Sequence, residues 1–257
     1  MQKNKLKEKL KQGRPCIGVW HEIGHPDIAE IQAMTGWEFM IYDMEHAPIS
    51  LRSVQTMIQV ADKYGPTPMI RVAGNDPVLI KQALDIGALG LIVPMVSSEQ
   101  DAVQAVRSSR YPLAGMRGYG PRRASGYGQT EEDYFNRFAK EEILLFIQVE
   151  TQEALDNLEA ILSVEGIDGV FVGPNDLSIS LGIRRQFDNP KFKDAIQLIL
   201  GQCSQRKLIP ACDGGGSAET LKSRLDMGFL LLPFAADTDI FAGATRKAFA
   251  QVKTLGI

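Results

Sequence analysis

The sequence is poor in cysteine and has no long apolar run. Its 257 residues include three cysteines, Cys16, Cys203 and Cys212, which are too few and too scattered for a disulfide framework. No stretch of about 20 apolar residues predicts a transmembrane helix, and the charged start of the chain lacks the apolar core of a signal peptide. We therefore expect reduced, buried thiols in a cytoplasmic protein that has no membrane partner.

The sequence has no large excess of positive or negative charge. It also lacks the common nucleotide-binding motifs. The formal net charge of −3 and the pI near 5.7 give no basic surface for nucleic acid. No Gly-rich dinucleotide fingerprint follows the first predicted strand, and no Walker spacing is present, so we expect no organic cofactor.

The sequence contains no linker that would separate two domains. The chain is predicted to form one domain over residues 1–257, with an N-terminal helix over 1–13 and a C-terminal helix over 236–257.

The sequence does contain eight short apolar runs separated by helix-like segments. Near-continuous apolar runs are typical of parallel strands covered on both faces. Eight β-α repeats in about 250 residues predict an α/β fold, a (β/α)8 TIM barrel. A doubly wound sheet is the alternative, but it needs fewer strands. The predicted strands are Cys16–Trp20, Phe39–Asp43, Pro68–Val72, Gly90–Met95, Leu144–Glu150, Gly169–Gly173, Leu208–Cys212 and Phe229–Phe234.

One connection is much longer than the rest. The segment 111–130 follows the fourth β/α unit and is rich in glycine, with three arginines, Arg117, Arg122 and Arg123. Loops of this length in compact domains are usually functional or disordered. The segment therefore predicts either a flexible surface excursion or an active-site lid that brings cations to the substrate.

Two neighbouring predicted strands lead directly into carboxylates. Glu150 ends the fifth run, and Asp176 follows the sixth. In a TIM barrel the catalytic residues lie at the carboxyl ends of strands and in the loops that follow. Oxygen donors without a neighbouring Cys or His favour Mg²⁺ or Mn²⁺, which keep waters that a 2-oxo acid can replace. The pair predicts a metal site that stabilises an enolate.

An arginine and a histidine lie at other predicted strand ends. Arg71 can donate a forked pair of hydrogen bonds to a substrate oxygen, or it can form an internal salt bridge. His46 follows Asp43 and Glu45 and is suited to proton transfer, although a lone histidine is often structural. No lysine ends a predicted strand, and a Schiff-base aldolase needs one in its barrel mouth. Metal-stabilised enolate chemistry is therefore favoured over an imine.

These motifs resemble the HpcH/HpaI-type aldolases, a family of metal-dependent pyruvate aldolases. The resemblance runs from about residue 16 to 245 and implies a TIM barrel that cleaves 4-hydroxy-2-oxo acids to pyruvate and an aldehyde. The segments that carry it are Gly18–Trp20, Asp43–Pro48, Arg71, Asn75–Pro77, Lys81–Ala88, Val93–Val96, Arg110–Gly118, Gln148–Thr151, Val164–Gly169 and Gly173–Ser178.

The resemblance also implies roles for individual residues. Glu150 and Asp176 would hold the divalent metal, with Co²⁺ as a further candidate beside Mg²⁺ and Mn²⁺. Arg71 would bind the keto or enolate oxygen. His46 would accept the proton of the 4-hydroxyl, with Asp43 or Asp85 supporting it. The remaining residues expected to bind substrate are Trp20, Gln148, Gly173, Pro174, Asn175, Arg122 and Arg123.

The assembly and the aldehyde are less defined. Family members are commonly hexamers in which the last helix packs onto a neighbouring subunit, so we expect a homo-oligomer in which Asp85 could act across an interface. The loops at 21–26 and 213–217 depart from the family pattern, which leaves the aldehyde open, and Arg122 and Arg123 could receive a distal carboxylate. Oxaloacetate decarboxylation or thioester lyase chemistry, and a non-catalytic barrel that binds a 2-oxo acid, are the alternatives.

Overall fold

The computed structural model describes residues 3–255, and within them eight parallel strands close into a barrel. Strands β1 to β8 pair in chain order, and β8 pairs with β1. Apolar side chains bury one strand face inside the barrel and the other against helices, which explains the near-continuous apolar runs. The predicted (β/α)8 barrel is confirmed. The strands are β1 (Cys16–His21), β2 (Phe39–Asp43), β3 (Thr67–Arg71), β4 (Gly90–Val93), β5 (Leu144–Val149), β6 (Gly169–Val172), β7 (Ile209–Cys212) and β8 (Leu231–Ala236).

Helices connect the strands, and local capping defines where several of them begin. The Asp76 carboxylate accepts hydrogen bonds from two backbone N–H groups at the start of one helix, and Ser98 and Asp101 form a capping box at another. A short π-helical stretch, Tyr134–Phe138, separates α6 from α7. The helices are α1 (Lys5–Lys11), α2 (Pro26–Met34), α3 (Leu51–Ala61), α4 (Pro77–Asp85), α5 (Glu99–Ser109), α6 (Glu131–Asp133), α7 (Ala139–Glu141), α8 (Gln152–Asp156), α9 (Leu158–Leu162), α10 (Pro174–Ser180), α11 (Pro190–Arg206), α12 (Ala218–Met227) and α13 (Asp237–Lys253).

A helix lies near each end of the described chain. Helix α1 covers residues 5–11 of the predicted 1–13, and α13 covers 237–253 of the predicted 236–257. The ends of both predictions, residues 1–2 and 256–257, lie outside the described residues. Among the described residues, no helix combines the length and the apolar character that crossing a bilayer requires.

Helix α1 closes the amino-terminal end of the barrel. Leu6 and Leu10 belong to the apolar cluster of the barrel interior. The Lys7 ammonium is buried, lies 2.9 Å from the Asp168 carboxylate and donates to the carbonyl of Ile143 at 2.9 Å. Burial of this lysine lowers its pKa against the opposing effect of Asp168. Since this end is filled, the opposite end, where the strands finish, carries the accessible side chains.

The long segment 111–130 lies at the closed end and not at the mouth. It connects α5 to the start of β5, and such α-to-β connections lie opposite the carboxyl ends of the strands. Arg123 pairs with Asp62 and donates to the carbonyl of Ile86 at 3.1 Å, and the Ala124 N–H donates to the carbonyl of Asp85 at 3.2 Å. Within one chain, the segment therefore does not form a lid over its own barrel.

Candidate active site

A cavity of about 500 Å³ opens at the carboxyl end of the barrel. It lies where a TIM barrel places its catalytic residues, and its volume suits a small organic acid. Predicted site residues from several separate strand ends or the loops after them share this cavity. They are Trp20, His46, Arg71, Gly173, Pro174, Asn175 and Asp176.

Arg71 is fixed by a buried carboxylate and an aromatic ring. Its Nε and Nη2 donate to the two oxygens of Asp43 at 2.9 and 2.6 Å, and its Nε lies 3.3 Å from Glu45 Oε2. The guanidinium carbon lies 4.5 Å from the centre of the Trp20 ring. Nη1 has no hydrogen-bond partner within the described residues. The side chain is therefore held rigidly while one of its nitrogens is left for a ligand oxygen.

Asp43 accepts hydrogen bonds from both Arg71 and the loop after β2. The side chain of Asp43 is completely buried, and its Oδ1 accepts hydrogen bonds from the backbone N–H groups of Glu45 at 3.0 Å and His46 at 3.3 Å. Burial acts to raise the pKa of this carboxyl, but the hydrogen bonds and charge of Arg71 outweigh it and hold the pKa below its ordinary value. Asp43 thus remains ionised and orients the backbone, rather than the imidazole, of His46.

The His46 imidazole lies at the cavity entrance. Its side chain is 62% exposed, and Nε2 lies 3.8 Å from Glu45 Oε2. The exposure suits a group that exchanges protons with substrate and water. Asp85, the other predicted support, lies at the opposite end of the barrel, where Arg117 Nη2 donates to it at 2.7 Å. In a single chain Asp85 therefore does not meet His46.

Glu45 is a site residue to which the sequence assigned no role. It lies between Arg71 and His46, and its Oε2 is buried without a hydrogen-bond partner in residues 3–255. Burial raises the pKa of this carboxyl despite the nearby charge of Arg71. Its position just past β2 was the only sequence signal, and a solvated loop acid gives the same pattern.

Glu150 is a buried carboxylate without a cationic partner. It is 3% exposed, accepts a hydrogen bond from the backbone N–H of Met95 at 2.8 Å and contacts the amide nitrogen of Gln148. Within the described residues no Lys, Arg or His nitrogen lies within 4 Å of it. Buried charges are normally paired or coordinate a metal. The carboxylate therefore fits a bound cation.

The neighbouring strand completes this fit. Val149 pairs with Val172, so Glu150 and Gly173 follow directly on adjacent strands. A Cβ at Gly173 would lie 2.7 Å from Glu150 Oε2, so a side chain here would displace the Glu150 carboxylate. Asp176 is exposed to the cavity in the first turn of α10. No cluster of three or more His, Cys, Asp and Glu side chains suited to a metal occurs in residues 3–255, so two carboxylates would leave coordination positions for water and substrate.

The other predicted binding residues are more scattered. Gln148 is buried behind Glu150, and its Oε1 lacks a hydrogen-bond partner among the described residues. Arg122 is exposed on segment 111–130, and Arg123 is engaged there by Asp62. These two arginines do not line the cavity of their own chain.

Asp213 is a second residue to which sequence reasoning assigned no role. It follows β7 and lines the cavity, where its Oδ2 accepts a hydrogen bond from Trp20 Nε1 at 2.9 Å and its Oδ1 accepts one from the Gly215 N–H at 2.7 Å. Burial raises the pKa of this carboxyl. The departure from the family pattern after β7 was a signal that this loop matters, but it did not indicate the contact with Trp20.

Comparisons with known proteins show the family and agree with the fold. Residues 16–214 match the family described as HpcH/HpaI aldolase/citrate lyase. A 4-hydroxy-2-oxo-heptane-1,7-dioate aldolase from Escherichia coli is 38% identical over 250 residues, covering 96% of this chain and 94% of the relative. The crystal structure of an HpcH/HpaI aldolase/citrate lyase family protein from Burkholderia cenocepacia superposes with a TM-score of 0.91 at 31% identity, covering 97% and 99% of the two chains. An HpcH/HpaI aldolase from Desulfitobacterium hafniense gives a TM-score of 0.90 at 28% identity, covering 96% of each chain.

Proposed function

The chain belongs to the HpcH/HpaI aldolase/citrate lyase family, and from that premise we propose that it is a divalent metal-dependent aldolase. It reversibly cleaves a 4-hydroxy-2-oxo acid to pyruvate and an aldehyde. The observation that carries this proposal is the buried carboxylate of Glu150, which has no cationic partner in residues 3–255 and follows β5 at the end of the barrel where Arg71 and His46 line a cavity. The absence of a strand-end lysine in the sequence supports the metal-dependent rather than the imine class.

The cation would be held by Glu150 and Asp176. When bound, it acts as a Lewis acid and stabilises the negative charge that develops on the keto oxygen during cleavage. Mg²⁺ and Mn²⁺ suit two carboxylates without a soft ligand, and Co²⁺ is a further candidate. Glu45 Oε2 lies 3.3 Å from Arg71 Nε, close enough for the Glu45 carboxylate to offset part of the positive charge of Arg71.

The remaining groups bind the substrate and transfer the proton. Arg71 donates through its unpartnered nitrogen to an oxygen of the 2-oxo acid. His46 accepts the proton of the 4-hydroxyl as the bond between carbons 3 and 4 breaks, so that carbon 4 becomes the aldehyde carbon and the electron pair stays with the pyruvyl fragment. A proton from water then completes the pyruvate methyl group. Gln148 and the backbone around Gly173 to Asn175 hold the pyruvyl end.

The substrate is proposed to carry a second carboxylate. The relative from Escherichia coli is named for a seven-carbon diacid, and cleavage of such a chain between carbons 3 and 4 yields a four-carbon aldehyde with a terminal carboxylate. Arg122 and Arg123 remain candidates for this carboxylate, but they lie at the closed end of their own barrel. They can reach a mouth only if it belongs to a neighbouring subunit.

We also propose a homo-oligomer, a hexamer by the family resemblance, in which α13 packs onto a neighbour. The side chains of Phe241 and Phe249 on this helix are 62% and 59% exposed. Of the described residues in α13, only Asp237 is buried. Two exposed aromatic side chains about two turns apart on a helix are typical of a surface that another subunit covers.

Solvent exchange of the pyruvate methyl protons tests the proposal. The protein with Mg²⁺ or Mn²⁺ should exchange these protons for deuterium, measured by proton NMR, and should form a carbon–carbon bond when an aldehyde is added. A chelator should abolish both reactions. No exchange and no product with any divalent metal would contradict the proposal.

His46→Ala distinguishes catalysis from simple binding. The variant should lose cleavage while it retains pyruvate and metal affinity, because the imidazole is 62% exposed and contributes little packing. Equal cleavage by both proteins would remove His46 from the mechanism. Turnover of oxaloacetate that exceeds aldol cleavage would favour the decarboxylase alternative.

A further inference from the structure

Helix α12, which follows β7, presents an arginine to the cavity. Thr220 and Arg224 both line the cavity, and their spacing of four residues places them on one face of the helix. Lys222, between them in sequence, points to solvent with a 74% exposed side chain and pairs with Asp226. The cavity face of α12 thus carries Thr220 and Arg224, whereas its solvent face carries an ion-paired lysine.

The Arg224 guanidinium has no ion-pair partner among the described residues, since no carboxylate oxygen there lies within 4 Å of it. Asp213 is the acid whose charge acts on it, but both oxygens of Asp213 are used, by the Trp20 indole and the Gly215 backbone. The positive charge of Arg224 is therefore poorly compensated.

Other charged groups of the cavity are engaged elsewhere or lie in exposed positions. Arg71 is bound by Asp43 and Glu45. Glu22 accepts a hydrogen bond from the Thr238 hydroxyl. Asp239 and Arg185 line the cavity and are exposed. Since Arg71 is assigned to the 2-oxo acid, partly buried Arg224 is the cation of this cavity best placed to bind a second anionic group.

The loop before α12 leaves room for that ligand at Gly216. Gly215 and Gly216 line the cavity with φ of +75° and +71°, a conformation that favours glycine. Gly215 packs against Thr220, whereas a Cβ at Gly216 would meet only the Cβ of Ala235, at 4.0 Å. The open space lies along the wall that bears Asp213, Thr220 and Arg224.

We propose that Arg224 binds the anionic group at the distal end of the aldehyde half of the substrate and so makes the enzyme selective for aldehydes with a terminal carboxylate. This inference rests on the proposed aldolase function and adds the residue that selects the second substrate. It assigns the distal carboxylate to the chain's own barrel, whereas Arg122 and Arg123 would require a neighbouring subunit.

A charge-matched pair of variants tests the proposal. Arg224→Gln removes the cation from the cavity face of α12, and Lys222→Gln removes one from its solvent face. Both are assayed with pyruvate, Mg²⁺ and either succinic semialdehyde or butanal, which share four carbons and differ in the terminal carboxylate. Since a hydrogen bond to a charged group contributes about 1.5–3 kcal/mol, Arg224→Gln should lower kcat/KM for the semialdehyde about 10- to 100-fold, mainly through KM. For butanal the change should stay below about threefold.

The controls separate this inference from the proposed function. Lys222→Gln should behave as the wild type, and pyruvate proton exchange should survive in Arg224→Gln. An equal loss with both aldehydes, or a selective loss in Arg185→Gln but not in Arg224→Gln, would overturn the assignment. Absence of exchange in the wild type would instead contradict the aldolase function.

A binding measurement decides the inference even without turnover. Calorimetric titration with succinate should show at least about tenfold weaker binding to Arg224→Gln than to wild type or Lys222→Gln. Equal succinate affinity in the three proteins would overturn the role of Arg224 whatever the reaction.

Discussion

Asp213 accepts a hydrogen bond from the indole nitrogen of Trp20 at 2.9 Å. The face of the same indole lies 4.5 Å from the guanidinium carbon of Arg71, and its ring packs against Phe171 at a centroid distance of 5.6 Å. The loop after β7 is therefore joined through one aromatic ring to the arginine at the end of β3. A substitution of Asp213 is therefore expected to change the position of Arg71 through the Trp20 ring, although Asp213 does not contact Arg71 directly.

Removing this hydrogen bond should weaken both the fold and the arginine site. Asp213→Leu leaves the indole N–H without a partner, which costs about 1–3 kcal/mol of unfolding free energy, while Asp213→Asn can still accept it. We expect Asp213→Leu to raise KM for pyruvate and Asp213→Asn to restore most of the loss. Emission of Trp20, measured in a Trp37→Phe background, should shift in the leucine variant only. Identical kinetics and emission in both variants would contradict the contact.

The stability of the protein should carry a pH dependence from Asp213. Burial raises the pKa of this carboxyl above 3.8, so between 3.8 and the higher folded value the native state binds more protons than the unfolded state. The contribution of Asp213 to stability therefore falls as pH rises through this window. Urea unfolding, followed as the pH is raised from about 4 with a chelator present, should show a downward trend of wild type relative to Asp213→Asn. A constant or rising difference would oppose this assignment.

Arg71→Lys should damage the site although it keeps the charge. An ammonium cannot form the forked pair of hydrogen bonds that Arg71 makes with buried Asp43. We expect a loss of about 1–3 kcal/mol in unfolding free energy and a fall in kcat/KM of at least about tenfold. Denaturant titration and steady-state kinetics measure the two effects, and Arg52→Lys on the exposed surface of α3 is the control. Wild-type values in the lysine variant would exclude a geometric role for the guanidinium.

Glu150→Gln should abolish metal-dependent activity. A neutral amide removes the charge that a cation would compensate, and it places an N–H group near the amide nitrogen of Gln148. Isothermal titration with Mn²⁺ should show at least about tenfold weaker binding. Glu153→Gln, on the first turn of α8, controls for loss of one negative charge nearby. Unchanged Mn²⁺ affinity would exclude Glu150 as a ligand.

Phe241→Asp should separate subunits if α13 lies in an interface. The phenylalanine is 62% exposed in the single chain, so the change should leave the barrel folded. Light scattering coupled to size exclusion should then give a smaller particle than the wild type. Lys247→Asp, also exposed on α13, provides a control for the introduced charge. A wild-type particle that is already monomeric would contradict the proposed assembly.

Local patterns in the sequence were sufficient to predict the barrel. Apolar runs predicted all eight strands, each overlapping the observed one, because strands that are buried on both faces leave a direct record in composition. The ends of the strands were predicted less well. The predicted start of β8 was wrong, for example: the apolar run begins at Phe229, but the paired strand begins at Leu231. The reason is that ladder hydrogen bonds, and not hydrophobicity, define the limits of a strand.

The full set of residues in the candidate site could be identified only from the tertiary structure. Strand ends predicted Arg71, Glu150 and His46 as a group, because parallel strands bring their carboxyl ends to one face. The same rule did not place segment 111–130, whose connection runs to the closed end of the barrel. It also gave no indication that Asp43 would bind the backbone of His46 or that Glu45 would be partly buried.

The sequence by itself determined the barrel and the class of its chemistry, and it predicted that this chemistry lies at the carboxyl ends of the strands, because β-α alternation and residue type at strand ends are local properties. Only the tertiary structure decided that Asp213 meets Trp20, that Glu150 is buried with no cationic side chain beside it in residues 3–255, and that Arg224 faces the cavity. These are contacts between residues far apart in the chain. Their existence depends on how the closed barrel orients each side chain, and no spacing in the sequence records that orientation.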